Sequence, residues 1–303
     1  MSTVPDSPPI AGAVHGGWRD YLELTKPKVS LLIVFTAIVG MVLASPGWIP
    51  LNALILGSIG IALASGSAAA FNHILDRRID GQMNRTRRRP LPTGHMQESH
   101  ALIFAVALGL ASMLILWTGV NVLTAALTFC SLIGYAIVYT MWLKRATPQN
   151  IVIGGAAGAA PPVLGWAAVT NTIDPNALVL FLIVFTWTPP HFWALAIARR
   201  DDYAKVGIPM LPVTHGIPYT RLQIVLYTIL LILTTLLPFL TRMSGLVYLA
   251  VAVALNARFL YFVVALNKGT RPELPIRTFR FSITYLMLLF AALIVDHYLY
   301  FPA

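Results

Sequence analysis

The chain has 303 residues, of which 57% are hydrophobic and 11% charged, and its mean hydropathy is +0.75. Soluble domains carry roughly 25% charged residues, so this composition excludes an ordinary water-soluble globule and places the chain in lipid. Its 21 basic against 11 acidic residues then act as a topology signal in loops, and as a substrate signal only where arginines concentrate.

Residues 1–25 form an arm with acids and prolines and no apolar core before a cleavage site, so no removable targeting segment is expected. Residues 26–303 read as one intramembrane domain. Nine apolar runs follow, approximately 29–45, 51–73, 101–119, 121–142, 151–170, 177–198, 222–241, 244–266 and 281–300. Each can cross a hydrocarbon core of about 30 Å, which takes roughly 20 helical residues. They are apolar all round and lack the alternation of barrel strands. Only internally bonded helices satisfy such backbone in lipid, so the expected fold class is all-α, a bundle of nine transmembrane helices. Lys and Arg in short loops stay on the cytoplasmic side. Arg19, Lys26 and Lys28, the arginines of 77–89, Lys144 and Arg145, Arg199 to Arg221, and Lys268 to Arg280 all fall on alternate connections, against Arg242 alone on the others. The N-terminus is therefore expected inside and the C-terminus outside, in a bacterial plasma membrane as the simplest home.

The second run ends in Asn72-His73-Ile74-Leu75-Asp76-Arg77-Arg78-Ile79-Asp80. Steps of four residues drift only about 40° around a helix, so Asn72, Asp76 and Asp80 line one face of a helix end. Hard oxygen donors in a row suit magnesium, which takes one or two carboxylates and completes its octahedron with water and phosphate oxygens. The competing reading is a solvated charged turn, in which Arg77 could pair with Asp80. Asp76 has no such base one turn away, and like charges at this spacing repel unless a cation lies between them. In the loop 83–95, Arg87 and Arg88 suit anionic headgroups as well as any ligand. Arg85 and Arg89 are expected on phosphate, which the charged, bidentate guanidinium fork matches.

Cys130 is the only cysteine, so neither a disulfide nor a cysteine metal site is available. The glycine-rich stretch 154–162 offers small faces for helix packing. It is not read as a phosphate loop, which needs accessible amides at a helix start. The sixth run carries Trp187-Thr188-Pro189-Pro190-His191-Phe192-Trp193 and exits through Arg199-Arg200-Asp201-Asp202-Tyr203-Ala204-Lys205. Its two prolines are expected to make the helix irregular unless neighbours re-satisfy the freed carbonyls. Both charged clusters contain Arg-Arg with Asp within two residues and precede a Leu-Pro step near His95 or His215, a hint of duplication that would set the second and sixth helices across one cavity. Arg258, near Asn256, lies inside the eighth run. Burial there costs roughly 2.5–3.5 kcal/mol, so it either meets a ligand or snorkels to the inner face.

Taken together these residues resemble the UbiA-type intramembrane prenyltransferases, from Leu24-Thr25-Lys26-Pro27-Lys28 to the ninth run. Asn72, Asp76 and Asp80 are similar to the superfamily's first aspartate motif. Asn84-Arg85-Thr86, Arg89-Pro90-Leu91 and the stretch Pro190 to Ala196 resemble its haem-specific branch. Where the quinone-type branch carries further acids, this chain has Arg199 and Tyr203, and its second site keeps Asp201, Asp202 and Lys205. The resemblance implies a central cavity with the diphosphate at its cytoplasmic cap. It also implies transfer of a farnesyl group from farnesyl diphosphate to a vinyl of haem B, with water added, giving haem O. Magnesium on Asn72, Asp76 and Asp80, helped by Asp201 and Asp202, would neutralise the diphosphate, and Arg85, Arg89 and Lys205 would hold its outer oxygens.

No nucleophile is needed, and none is convincing. Phe71, Tyr135, Tyr139, Trp166, Trp187 and Trp193 are candidates for a dry aromatic wall, or else ordinary packing. His191 is a candidate axial ligand to haem iron, or a group that steers water or a proton. Arg258 is a candidate partner for a haem propionate, and His73, His95 and His215 could touch the diphosphate or haem carboxylates. A downstream haem-modifying oxidase or haem-copper oxidase assembly is a conceivable partner, and nucleic acid is not. The rival functions are prenyl transfer to an aromatic quinone precursor or chlorophyllide, membrane transport, and haem binding without catalysis.

Overall fold

In the computed structural model, which describes residues 16–269 and 271–300, every regular element is helical. The first 15 residues of the expected arm lie outside the described residues, and the rest of it forms α1 (Trp18–Leu24). Nine spans long and apolar enough to cross a membrane follow among the described residues. The first is α2 (Pro27–Ala44), and the second, Ala53–Asp80, opens as a π-helical stretch before α3 (Ser58–Asp80). The third is α4 (Glu98–Gly119). The fourth, Val122–Ala146, runs through α5 (Val122–Ile133), a π-helical stretch (Gly134–Leu143) and α6 (Lys144–Ala146). The fifth joins α7 (Asn150–Ala159) to α8 (Pro161–Thr170), and the sixth is α9 (Pro175–Ala198). Short helices α10 (Arg200–Lys205) and α11 (Leu211–Thr214) lead to α12 (Gly216–Leu240), α13 (Leu246–Lys268) and α14 (Leu274–Tyr300).

The nine expected runs correspond to the nine spans in order, but three helices outrun them by six or seven residues. Helix α3 continues past 73 to Asp80, α12 starts at Gly216 instead of 222, and α14 at Leu274 instead of 281. Hydropathy registers only side chains suited to hydrocarbon, whereas the extra turns of α3 are polar and bury Asp76 and Asp80 against protein.

The expected irregularity at Pro189 and Pro190 is absent, since α9 runs helical through both. Neighbouring helices hold it, because α9 packs against α12, α14, α7 and α8. In its most apolar window 72% of residues are buried, against 22% in the third and fourth spans, which makes α9 the most enclosed span.

Helices α2 and α8 meet with almost no space between backbones. A Cβ on Gly165 would fall on the carbonyl of Ala37, and one on Gly40 on the carbonyl of Pro162. Small residues at such crossings let helices gain packing contacts that lipid alone does not drive. In α7 the glycines divide, with Gly154 abutting the Tyr139 ring while Gly158 faces open space.

At the far end of the bundle Asp296 of α14 is 1% exposed and accepts the backbone N–H groups of Gly245 and Tyr248 at the start of α13. The first turn of a helix leaves N–H groups without partners, and a carboxylate supplied from another helix satisfies two of them. Asp296→Ala is expected to cost about 1–3 kcal/mol, the penalty of stranding buried donors. A thermal scan in detergent should show the lower midpoint, and an unchanged midpoint would remove this cap from the account.

Candidate functional site

The last three turns of α3 carry Asn72, Asp76 and Asp80, which are 5%, 1% and 4% exposed. Each of these side chains is met by a cation from a different part of the chain. Lys26 donates to Asn72 Oδ1 at 2.5 Å, Lys144 to Asp76 Oδ2 at 2.5 Å, and Arg89 to Asp80 Oδ2 at 2.6 Å. Asn72 Nδ2 also donates to Asp76 Oδ2 at 2.8 Å, while Asp76 Oδ1 is buried with no hydrogen-bond partner among the described residues. Thr86 donates to the carbonyl of Asp80 at 3.0 Å and ties the arginine loop to the helix end. Arg77, a possible partner for Asp80 on sequence grounds, pairs instead with Glu98 at 2.8 Å.

In the sequence Lys26 is a topology signal within the stretch that opens the family resemblance and Lys144 a topology signal alone, yet the structure brings both to the motif. Lys26 sits between α1 and α2 with φ 48° and ψ 62°, a left-handed conformation that a non-glycine residue adopts at a cost. Such strain persists where surroundings over-determine it, and here it aims the ammonium at Asn72. Burial, with Arg89 and Lys144 nearby, lowers Lys26 from the usual lysine value to about 7. Thr140, whose Oγ1 accepts from Asn72 Nδ2 at 3.4 Å, and Lys144 arrive through the π-helical stretch of the fourth span and the turn after it, where the wider winding redirects side chains. A run of Gly134-Tyr135-Ala136 gives no period by which to foresee that geometry.

The second cluster divides. Asp202 is 7% exposed and accepts from Asn84 Nδ2 at 3.1 Å, which joins it to the loop after α3. Tyr203 is buried beside it, and burial chiefly raises its phenol above the ordinary value, against the opposing charge of Arg85. Arg85 itself is exposed, as are Arg87 and Arg88. The structure does not bring Asp201 into this group, because its side chain is 89% exposed and lies 3.8 Å from Arg200. Lys205 is exposed and makes no ion pair among the described residues.

Of the expected histidines, His73 is 2% exposed, with neither ring nitrogen hydrogen-bonded among the described residues. It lines a cavity of about 420 Å³ with Arg19, Lys26, Lys28 and Arg89. His95 and His215 are exposed, and His215 bonds Thr214 and stacks on Tyr219. His191 is buried in α9, next to Trp187. Arg258 is exposed on α13, its guanidinium over Tyr261 and Phe262 at 5.3 and 5.1 Å. Trp166, Trp187 and Trp193 are buried, and Tyr135 and Tyr139 lie 5.5 Å apart.

Among the described residues no three His, Cys, Asp or Glu side chains form a metal cluster. The motif offers two carboxylates and an amide, and the donor set magnesium uses when phosphate completes its shell is one or two carboxylates. The unpartnered Asp76 Oδ1 is an oxygen of the kind such an ion takes, so the residues fit it. Three cations around two carboxylates suit a polyanion as well.

This chain belongs to the UbiA prenyltransferase family, whose model matches residues 33–294. More particularly, it is 63% identical over 291 residues to the protoheme IX farnesyltransferase of Alkalilimnicola ehrlichii, covering 95% of this chain and 96% of that one. Over 283 residues it is 60% identical to the protoheme IX farnesyltransferase of Hahella chejuensis, covering 93% and 95% of the two chains. In fold it is similar to a digeranylgeranylglyceryl phosphate synthase, with TM-score 0.77, 19% identity and coverage of 92% and 98%. It is also similar to a UbiA homolog from Archaeoglobus fulgidus bound to DMAPP and Mg2+, with TM-score 0.64, 16% identity and coverage of 91% and 99%. The family resemblance carried by the motif at 72–80 is thus borne out, as is the all-helical nine-span architecture.

Proposed function

We propose that the chain transfers the farnesyl group of farnesyl diphosphate to a vinyl group of haem B, with addition of water, giving haem O and diphosphate. The observation that carries this reading is the near full-length likeness to proteins named protoheme IX farnesyltransferase. The buried motif with its ring of cations supports it independently, since it is built to receive a polyanion. Magnesium held by Asn72, Asp76 and Asp80, with Asp202 as the buried carboxylate of the second cluster, would supply charge neutralisation to the leaving diphosphate.

The remaining work falls to side chains of this chain. Lys26, Arg89 and Lys144 bind diphosphate oxygens, and Arg85 and Lys205 reach its outer oxygens from the loop edges. This preorganised charge favours ionisation of the allylic carbon–oxygen bond. Tyr135 and Tyr139 present aromatic faces to the resulting cation, and the apolar walls exclude water until the vinyl carbon has attacked. One water then adds at the carbon beside the macrocycle, and its proton leaves with the diphosphate. The arginine-rich connections support a cytoplasmic motif end, an inside N-terminus and an outside C-terminus in a bacterial inner membrane. The product would serve a haem-modifying oxidase or a haem-copper oxidase assembly.

Membranes containing the chain, supplied with haem B, farnesyl diphosphate and magnesium, should yield haem O on chromatography with mass detection. Chelation of divalent metal should abolish it and added magnesium restore it. No haem product, with diphosphate released when a quinone precursor is supplied, would transfer the chain to another acceptor.

A further inference from the structure

The ring of His191 keeps 6% of its surface, and besides the edge-on ring of its neighbour Phe192 at 4.9 Å three contacts from further away hold it. Trp187 stacks on it with centroids 4.2 Å apart, and Phe279 of α14 stacks on it at 4.6 Å. Two rings so close do not fit side by side on one imidazole face, so His191 lies between them. The third contact is Ser282 Oγ, 2.6 Å from Nδ1.

That same Ser282 Oγ lies 2.7 Å from the carbonyl oxygen of Phe279. A hydroxyl has one proton to donate and a carbonyl can only accept. Ser282 therefore donates to Phe279 and accepts from His191, which puts the ring proton on Nδ1 and leaves the lone pair on Nε2. The one side-chain hydrogen bond seen on the ring among the described residues is that of Nδ1. Trp187 Nε1 donates to the Ser282 carbonyl at 2.8 Å, so α9 and α14 are tied at this serine through both backbone and side chain.

We propose that Ser282 is a positioning residue that holds His191 in its Nδ1–H form and so presents Nε2 as the axial ligand to the iron of the haem substrate. The proposal rests on haem being the acceptor. A histidine that took up a proton here would become an imidazolium, whose charge a carboxylate on Nδ1–H would stabilise best. The acceptor chain ends instead on a neutral carbonyl, and no Asp or Glu among the described residues bonds or pairs with His191. A neutral imidazole whose second nitrogen donates to a fixed acceptor is the arrangement that orients a metal-bound histidine.

The test uses the purified full chain and ferric haem, with no prenyl donor. Wild-type protein should show the absorption and electron paramagnetic signature of nitrogen-ligated haem. His191→Gly should lose it and regain it when imidazole is added. Ser282→Ala should bind haem about 10-fold more weakly, as loss of an outer partner of a metal ligand does, and Ser282→Thr should recover the affinity. Nitrogen NMR of the wild-type histidine reads the tautomer without any variant. Protonated Nε2, wild-type haem affinity in Ser282→Ala, or an intact signature in His191→Gly would each overturn the proposal. Nitrogen-ligated haem without haem O formation would overturn the reaction and leave this ligand standing, whereas haem O formation without nitrogen ligation would do the reverse.

Discussion

Asp76→Ala is expected to lower haem O formation by about three orders of magnitude, the upper range for removing one preorganised charge-stabilising group, while haem still binds through the sixth span. Asp76 is the most enclosed acid of the motif and has one oxygen already engaged by Lys144 and Asn72 and one left over. Losing the carboxylate removes the oxygen proposed for the metal and also leaves Lys144, whose side chain is 14% exposed, without its partner and free to shift from the place proposed for the diphosphate. Asp76→Asn keeps the shape and separates the two effects, since its amide can still meet Asn72 but carries no charge. Single-turnover rates with saturating substrates read the outcome. A wild-type rate in Asp76→Ala would end the assignment of metal to this motif.

Gly165→Ala should destabilise the protein by about 3 kcal/mol, the upper part of the overpacking range, although alanine is the better helix former. The added Cβ has no room because it meets the Ala37 carbonyl, part of a backbone that cannot rotate out of the way. Pushing α2 from α8 would also displace Lys26, which stands one residue before α2 and reaches Asn72. Activity is thus expected to fall together with the thermal midpoint. Gly158→Ala is the control, because nothing lies within 4 Å of its Cβ position. There the helix propensity gain of up to about 1 kcal/mol should appear with the opposite sign. Equal effects at the two glycines would refute the close α2–α8 crossing.

The motif residues Asn72, Asp76 and Asp80 were legible because four-residue spacing is a local property of a helix, and their shared face needs no knowledge of the neighbours. The burial of that helix end was not, since the apolar run stops at 73 and a charged turn looks solvated until the neighbours that shelter Asp76 and Asp80 are known. Pro189 and Pro190 illustrate the same limit from the other side. Their local preference is to interrupt a helix, and the enclosure of α9 by its neighbours overrides it. Asp201 and Asp202 are adjacent in sequence and chemically alike, yet one is turned to solvent and the other is buried against Asn84. No pattern in the sequence separates them.

What the sequence determined by itself follows from one-dimensional physics. The thickness of a bilayer sets the length of an apolar run, the cost of unpaired backbone in lipid makes each run a helix, and helical periodicity aligns the acids. What only the tertiary structure decided is which polar side chains meet. Lys26 reaches Asn72 across 46 residues and Lys144 reaches Asp76 across 68, while Ser282 orients His191 across 91. Pairing at such separations depends on how whole helices cross, and crossings are set by glycines, bulky rings and π-helical turns acting together, beyond the reach of any local period.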